Sequence, residues 1–260
     1  MSGVTDAAPI LVTGGTGMLG QAVVAELASR GRPSRVLSRR ASPDQPGAVL
    51  GDLTSGEGLS EAVHGAAAVI HCASNPERPD EDIAAIGQLL LAARRAETRH
   101  LVYISIVGVD RVPYSYYSVK QQVEELVEAG EVPWTTLRAT QFHQFLPRLL
   151  SRFTLGPLTL LPAATTVQPV DVHEVAARLV DLALGTPQGR VDDLAGPQRL
   201  TAREVARLTT KATGAPRRTL SVRLPGKAFA AVRAGGLCAA GGSPTGAVTY
   251  AQAWGLDEGA

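Results

Sequence analysis

A short apolar run near the amino terminus breaks into closely spaced glycines and then leads into a segment with helical apolar spacing. The apolar run covers residues 10–13, and the helical spacing covers residues 21–29. This order is typical of a strand, a tight turn and a helix, because glycine permits positive φ and lets backbone N–H groups approach an anion at the helix amino terminus. The sequence therefore predicts a turn that binds the phosphates of a dinucleotide. Its binding residues would be Gly14, Thr16, Gly17, Met18, Leu19 and Gly20.

The composition of the 260 residues favours a small-molecule partner. The formal net charge is +1 and charged residues make up 19%, so no strong field favours nucleic acid or an anionic membrane surface. Cys72 and Cys238 lie far apart and the histidines are scattered, so no metal site is predicted. No segment approaches the roughly 18 apolar residues that a membrane span needs. We expect a soluble, cytoplasmic protein, either a monomer or a homodimer.

Short strands alternate with helical segments six times over the first part of the chain. Apolar runs without polar alternation, such as residues 67–73, suit strands that are buried on both faces of a parallel sheet. The alternation predicts an α/β fold of the Rossmann type, a doubly wound parallel sheet with ligands at the carboxyl ends of its strands. The predicted strands cover residues 10–13, 34–38, 48–52, 67–73, 100–105 and 134–138.

The alternation ends near residue 141, and the remainder of the chain reads as segments added to the sheet. Helices are predicted over residues 142–153, 171–184 and 201–213, and extended segments over 167–170 and 191–195. Thr201 and Glu204 fit a capping box at the start of the last helix. The expected organisation is a flexible tail over residues 1–8, a dinucleotide-binding Rossmann core over 9–145, and a small carboxy-terminal substrate-binding region over 146–260. Residues 167–196 are expected to return to the core.

Two arginines follow the second predicted strand, where dinucleotide folds place the group that contacts the adenosine ribose. An acid there would repel a 2′-phosphate, whereas Arg39 and Arg40 can pair with it. With Ser38 they would favour NADP(H) over NAD(H); the alternative is a pair of solvated loop arginines. Asp52, followed by Leu53, either accepts a hydrogen bond from the adenine amino group or caps the following turn.

A second motif, Tyr116 and Lys120, lies in a predicted helix after the fifth strand. Residues four apart share one face of a helix, and a nearby ammonium favours the phenolate, which lowers the tyrosine pKa from its usual value of about 10. Such a tyrosine can donate a proton to a carbonyl oxygen while hydride arrives, or accept one in the reverse direction. Lys120 could also donate to the nicotinamide ribose. The alternative is a surface pair without a catalytic role.

Together these motifs resemble the short-chain dehydrogenase/reductase superfamily and, within it, the atypical NmrA-like NAD(P)-binding branch. The resemblance covers residues 9–215 and rests on Thr13–Gly20, Arg39, Asp52, His71–Ser74, Tyr116–Lys120 and Leu137–Thr140. It implies a Rossmann core, a small carboxy-terminal substrate region and usually NADP(H). It also implies Tyr116 as the proton donor, Lys120 as its modulator, and Cys72, Ala73 and Ser74 as neighbours of the cofactor.

One departure concerns the serines that this superfamily usually carries after the fifth strand. Ser105 matches the first of them, but the apolar Ile106 and Val107 occupy the positions where the catalytic serine is expected. Ser105 is therefore either a catalytic hydroxyl or a strand-end hydroxyl bonded to backbone.

Candidate substrate residues follow the sixth strand at Gln141, Phe142 and His143. Gln141 and His143 either line a pocket or lie at the surface, and Phe142 either lines an apolar pocket or packs in the core. The sequence predicts an NADP(H)-dependent oxidoreductase that transfers hydride to or from a small, apolar organic substrate with a carbonyl, an alcohol or a conjugated double bond. Two alternatives stay open. One is a non-catalytic, NADP(H)-sensing NmrA-like regulator, and the other is an isomerase, epimerase or cyclase on the same fold.

Overall fold

The computed structural model describes residues 8–40, 47–215, 218–243 and 245–256. The tail predicted over residues 1–8 lies outside this part of the chain except for its last residue. The strands are β1 (Ile10–Thr13), β2 (Ser34–Ser38), β3 (Ala48–Leu50), β4 (Ala68–His71), β5 (Leu101–Ile106), β6 (Trp134–Ala139), β7 (Thr154–Leu155), β8 (Leu158–Pro162), β9 (Thr166–Val167), β10 (Gly189–Arg190), β11 (Leu200–Thr201) and β12 (Arg218–Val222). The helices are α1 (Met18–Ser29), α2 (Leu59–Val63), α3 (Asp80–Arg95), α4 (Ser115–Ala129), α5 (Phe145–Arg152), α6 (Val172–Leu184), α7 (Ala202–Thr213) and α8 (Lys227–Arg233).

The central sheet confirms the predicted Rossmann-type fold. Its seven parallel strands pair in the order β10, β6, β5, β4, β1, β2, β3. The strand order reverses between β1 and β4, and doubly wound sheets bind ligands at the carboxyl ends of the strands on either side of such a reversal. The register pairs Thr13, the last residue of β1, with His71, the last residue of β4.

The first of two compact units contains most of this sheet. It takes in the described residues of Met1–Ser105 together with Val119–Leu137 and Val175–Val191. Leu11 and Val69 of the strands pack with buried side chains of α2, α3 and α4. Side chains alternate along a strand, so Val12 points to the opposite face, on which α1 contacts β1 and β2. Helices therefore cover both faces, which explains why the strands read as continuous apolar runs.

The second unit takes in Ile106–Ser118, Arg138–Glu174 and the described residues of Asp192–Ala260. Its apolar core includes Leu146 of α5, Val205 of α7 and Tyr250. The predicted capping box opens α7: Thr201 Oγ1 accepts from Glu204 N at 3.2 Å, and a Glu204 carboxylate oxygen accepts from Thr201 N at 2.7 Å. The use of residues 146–260 for substrate binding remains a prediction.

Some elements of the carboxy-terminal half differ from those predicted. The strand predicted over residues 191–195 is wrong: β10 ends at Arg190, and the segment contains only isolated bridges from Leu194 to Ala139 and from Ala195 to Thr245. Two aspartates, which strands disfavour, come directly before these bridges. The helix predicted from residue 142 begins at Phe145, since Phe142 bridges to Val170 instead. β8 has no alternating pattern and owes its conformation to pairing with the distant β12. Among the described helices, none combines the length and apolar character that a membrane crossing requires.

Candidate cofactor site

A cleft of about 920 Å³ opens in the first unit, at the carboxyl ends of β1, β2 and β4. The parallel sheet brings most of the predicted cofactor residues to this edge. Those that line the cleft are Gly14, Thr16, Gly17, Ser38, Arg39, Arg40, Asp52, Leu53, Cys72, Ala73 and Ser74. The first turn of α1, which follows the glycine turn directly, contains Met18, Leu19 and Gly20. Lys120 lies on α4 and does not line the cleft.

The glycine turn holds β1, α1 and the end of β4 closer together than side chains would allow. Gly14 has a φ of +68°, and a Cβ atom there would lie 2.6 Å from the backbone nitrogen of Ala73. A Cβ atom on Gly20 would collide with the carbonyl oxygen of Gly14. Gly17 precedes α1 and has no side chain to cap it, so the first N–H groups of the helix are left for an anion. The cradle fits the pyrophosphate of a dinucleotide.

The end of β2 forms a basic wall of the cleft. Arg39 and Arg40 are exposed there, and Ser38 Oγ stabilises the turn by donating to Arg40 O at 2.8 Å. Asp52 also lines the cleft, and its Oδ1 accepts a hydrogen bond from Thr54 N at 2.7 Å. Of the two roles considered for Asp52, the structure shows the capping of the following turn. Contact with adenine remains a prediction.

The loop between β4 and α3 forms a wall of the cleft that sequence reasoning missed. Asp82, buried at the start of α3, accepts hydrogen bonds from Ser74 Oγ at 2.5 Å and from Asn75 N at 2.8 Å. Glu81 accepts hydrogen bonds from Arg78 at 3.1 Å and from Asn75 Nδ2 at 3.0 Å, and these bonds hold the pKa of its carboxyl below the usual value. These contacts fix the loop against the helix. An acidic run at the start of a predicted helix is the signal that could have identified it.

A buried cluster joins β1, β4 and β5 to α4; we call Thr13, His71, Tyr103 and Lys120 the Lys120 cluster. Thr13 Oγ1 lies 2.7 Å from His71 Nδ1, and the His71 ring stacks on Tyr103 with their centroids 5.7 Å apart. Lys120 is 3% exposed, and its Nζ donates to Ile104 O at 3.1 Å and lies 4.4 Å from the centre of the Tyr103 ring. Lys120 is therefore not part of a surface pair.

Burial is the main cause of the unusual pKa values in and beside this cluster. It lowers the pKa of Lys120 to about 8, while the charge of Asp82 opposes the change. It lowers the pKa of His71 to about 3, and the positive charge of Lys120 acts in the same direction. It raises the pKa of the neighbouring Cys72 thiol to about 12. At neutral pH, His71 and Cys72 are therefore uncharged, and Lys120 carries the positive charge of the cluster.

Ser105 lies near the end of β5 and is 2% exposed. Its Oγ has no hydrogen-bond partner among the residues that the structure describes. The structure thus shows no bond from this hydroxyl to backbone in that part of the chain. A catalytic role for Ser105 remains a prediction.

The predicted proton donor lies in the second unit. Tyr116 is half-buried in the first turn of α4, and its ring centroid lies 6.5 Å from that of Tyr117. Burial raises the pKa of Tyr117 to about 12, although a hydrogen bond with Gln141 acts in the opposite direction. Tyr117 is therefore protonated over the whole physiological range.

The predicted substrate residues also lie in the second unit. His143 is fully buried, and its Nε2 lies 3.2 Å from Val248 O. Gln141 is buried and donates to Leu237 O at 3.2 Å, whereas Phe142 is half-buried. The surface placement considered for Gln141 and His143 is therefore wrong, and their contact with a substrate remains a prediction. Within the described ranges, no three His, Cys, Asp or Glu side chains are grouped so as to hold a metal ion.

Comparisons with known proteins agree with this geometry. The model of a family described as NAD(P)H-binding matches residues 14–181. Over 223 residues, 80% of this chain and 75% of the relative, the sequence is 32% identical to a (4-alkanoyl-5-oxo-2,5-dihydrofuran-3-yl)methyl phosphate reductase from Streptomyces griseus.

Two solved structures share the fold at low sequence identity. An NADPH-dependent quinone oxidoreductase from Escherichia coli, complexed with NADPH, has a TM-score of 0.79 at 19% identity and covers 95% of this chain and 98% of its own. The triphenylmethane reductase of a Citrobacter species, complexed with NADP(H), has a TM-score of 0.73 at 18% identity and covers 90% of this chain and 93% of its own.

The sheet, the glycine turn and the cleft form a dinucleotide-binding site, and together with the reductase relative they identify an NAD(P)-dependent oxidoreductase. Since the family match extends over more than half of the sequence, the chain belongs to the NAD(P)H-binding family. The NmrA-like resemblance is consistent with this membership. The predicted superfamily and enzyme class are thus confirmed.

Replacing Gly14 tests whether the close approach of the turn to β4 is needed for cofactor binding. Gly14→Ala should weaken NADPH binding by ~10-fold or more, because a methyl group would displace the turn from Ala73. Gly31→Ala is the matched control, since Gly31 also has a positive φ, +63°, but has open space around its Cβ position. The control should lose stability through backbone strain and keep its affinity for NADPH in a fluorescence titration. Equal losses of affinity in the two variants would contradict the prediction.

The buried His71 predicts a pH dependence of stability. Its pKa is about 3 in the folded protein and 6.5 in the unfolded chain, so the unfolded chain binds more protons between these values. The stability contributed by neutral His71 is fully present above pH 6.5 and is lost as the pH falls towards 3, by roughly 1.4 kcal/mol per pH unit. His71→Asn should flatten the fall in the free energy of unfolding between about pH 6 and 4, measured by urea denaturation. His64→Asn, at an exposed histidine outside the Lys120 cluster, is the matched control.

Proposed function

We propose that the protein is an NADP(H)-dependent reductase acting on a small, apolar organic substrate with a carbonyl group or a conjugated double bond. The observation that carries this proposal is the cleft of the first unit, in which the glycine turn and the basic end of β2 face one ligand-sized space. Membership of an NAD(P)H-binding family supports the cofactor class. The preference for NADP(H) over NAD(H) rests on the arginines.

Different residues of the cleft bind different parts of the cofactor. Backbone N–H groups at the start of α1 bind the pyrophosphate, since the helix dipole favours negative charge there. Arg39 and Arg40 bind the 2′-phosphate through charge-assisted hydrogen bonds, which an acidic side chain at this position would not permit. Asp52 and Leu53 lie beside the adenine, and Cys72, Ala73 and Ser74 extend the site along β4. When bound, the reduced nicotinamide supplies hydride.

Tyr116 completes the reduction by giving its phenolic proton to the oxygen or carbon that the arriving hydride leaves negatively charged. Lys120, four residues later on α4, supplies a positive charge that favours the resulting phenolate. Above its pKa of about 8, the Lys120 ammonium loses a proton and becomes a neutral amine, which removes this charge. The rate of reduction should therefore fall as the pH rises through that region.

The name of the relative and residues of the second unit support the proposed substrate class. The Streptomyces griseus relative is named as a reductase of an alkanoyl-substituted dihydrofuranone phosphate, a carbonyl compound with a ring double bond. The candidate substrate contacts, Gln141, Phe142 and His143, lie in the second unit. A screen should thus include unsaturated five-membered lactones with and without a phosphate ester, quinones and simple aldehydes.

Removing the Arg39 guanidinium tests the cofactor preference. Arg39→Ala should weaken NADPH binding by roughly 10- to 100-fold, because a hydrogen bond to a charged group contributes about 1.5–3 kcal/mol. The Kd for NADH should change less than about 2-fold, since NADH has no 2′-phosphate. Isothermal titration with both cofactors measures the two values. Arg94→Ala is the charge-matched control, because Arg94 is an exposed arginine paired with Glu131 on the surface. Equal weakening of both cofactors by Arg39→Ala would count against the phosphate role.

Removing the Tyr116 hydroxyl tests the proton donor. Tyr116→Phe should lower kcat by ~10²- to 10⁴-fold with any substrate from the screen, while the Kd for NADPH stays unchanged. The absorbance of NADPH measures turnover. Tyr117→Phe removes a hydroxyl from the next residue, which bonds with Gln141, and should keep most of the activity. Full activity of Tyr116→Phe would exclude Tyr116 as the proton donor.

A further inference from the structure

Lys120 has a charged ammonium in a buried site, with few polar partners in the part of the chain that the structure describes. Its side chain is 3% exposed, and among the described residues its Nζ donates one hydrogen bond, to Ile104 O at 3.1 Å. An ammonium has three donors, and burial penalises its charged form. Something besides this hydrogen bond must therefore stabilise the charge.

The ring of Tyr103 lies against the ammonium. The distance from Lys120 Nζ to the ring centroid is 4.4 Å, within the range over which an aromatic face attracts a cation. Tyr103 is 1% exposed, so water does not screen this attraction. The ring and the Ile104 carbonyl come from adjacent residues of β5, which therefore presents both groups to Lys120 on α4.

The Tyr103 ring is itself held in place through two other strands. The ring of His71 at the end of β4 stacks on it at 5.7 Å and 27°, and His71 Nδ1 bonds with Thr13 Oγ1 at the end of β1. His71 is neutral in the physiological range, so the stack adds no second positive charge beside Lys120. The end of β1 that carries the glycine turn is thus coupled to the position of the lysine.

Other charged or titratable groups near Lys120 come from three elements. Asp82 lies on α3, Cys72 and His71 lie at the end of β4, and Glu124 lies on α4 itself. The Asp82 carboxylate already accepts from Ser74 Oγ and Asn75 N. His71, with a pKa of about 3, and Cys72, with a pKa of about 12, do not change charge near pH 8. The titration of Lys120 near that pH is therefore separate from theirs.

We propose that Tyr103 is a positioning residue for Lys120, and that its ring face holds the lysine ammonium charged and directed along β5. The role differs from that of a core side chain, because it depends on the electron density of the ring and not on its volume. A catalytic consequence of this contact rests on the proposed function, in which Lys120 supports Tyr116. The contact itself does not.

Fluorination of the ring separates these two roles. Phenylalanine and its mono-, di- and trifluorinated forms, inserted at position 103, keep nearly the same shape while they progressively weaken the attraction for a cation. Selective carbon-13 labelling of the lysine ε-carbons then reports each ammonium by NMR. The chain has three lysines, and the exposed Lys211 and Lys227 serve as internal controls. Lys120→Arg assigns the Lys120 signal by its disappearance.

The expected result is a stepwise fall in the titration midpoint of Lys120. Tyr103→Phe should stay near the wild-type pKa of about 8, and the trifluorinated ring should lower it by roughly half a pH unit or more, with Lys211 and Lys227 unmoved. A midpoint that stays constant across the series would overturn the proposal. The same series at Tyr250, whose ring contacts His143 and Trp254, should leave Lys120 unaffected.

The pH profile of NADPH oxidation distinguishes this proposal from the proposed function. If both are right, the high-pH fall in kcat moves with the NMR midpoint through the fluorinated series. If the midpoint moves but kcat has no corresponding limb, Tyr103 positions Lys120 and the catalytic use of Lys120 is wrong. If kcat changes while the midpoint stays constant, the cation contact is wrong.

Discussion

The close approach of the glycine turn to the end of β4 is the constraint on which the cofactor site depends. With no side chain at Gly14, the turn lies against the backbone of Ala73, and with none at Gly20, α1 begins directly over the turn. The first N–H groups of the helix thereby lie at the edge of the sheet where β1 and β4 end. A single added methyl group would separate the anion-binding groups from the strand residues that form the rest of the cleft.

The same edge of the sheet carries the buried Lys120 cluster. Burial opposes a charge on Lys120, and the ammonium contacts a backbone carbonyl oxygen and a ring face, with His71 neutral beside them. Burial lowers the pKa of Lys120 to about 8, and the charge of Asp82 acts in the opposite direction. The charge is therefore available at neutral pH and is sensitive to its surroundings, which suits a residue that adjusts the acidity of a neighbouring group.

The loop between β4 and α3 shows how polar side chains build a cleft wall without forming part of the predicted motifs. Asp82 accepts hydrogen bonds from both Ser74 and Asn75, so one carboxylate holds the loop against the start of α3. The sequence marks Ser74 through the family resemblance, yet it contains no local pattern that links Ser74 to an acid eight residues later. That link exists because the chain reverses direction after β4.

Features that depend on neighbours in the chain could be predicted from the sequence. The glycine turn, the bounds of β2 and the capping box of α7 agree with prediction, because backbone sterics and local hydrogen bonds decide them. The family relationship follows from the same short motifs.

Features that depend on distant partners could not be predicted. β8 forms because it pairs with β12, and His143 is buried against Val248. Lys120 reads as half of a motif in the sequence, and only packing against β5 places its ammonium over Tyr103, since burial and contact across strands are properties of the folded chain.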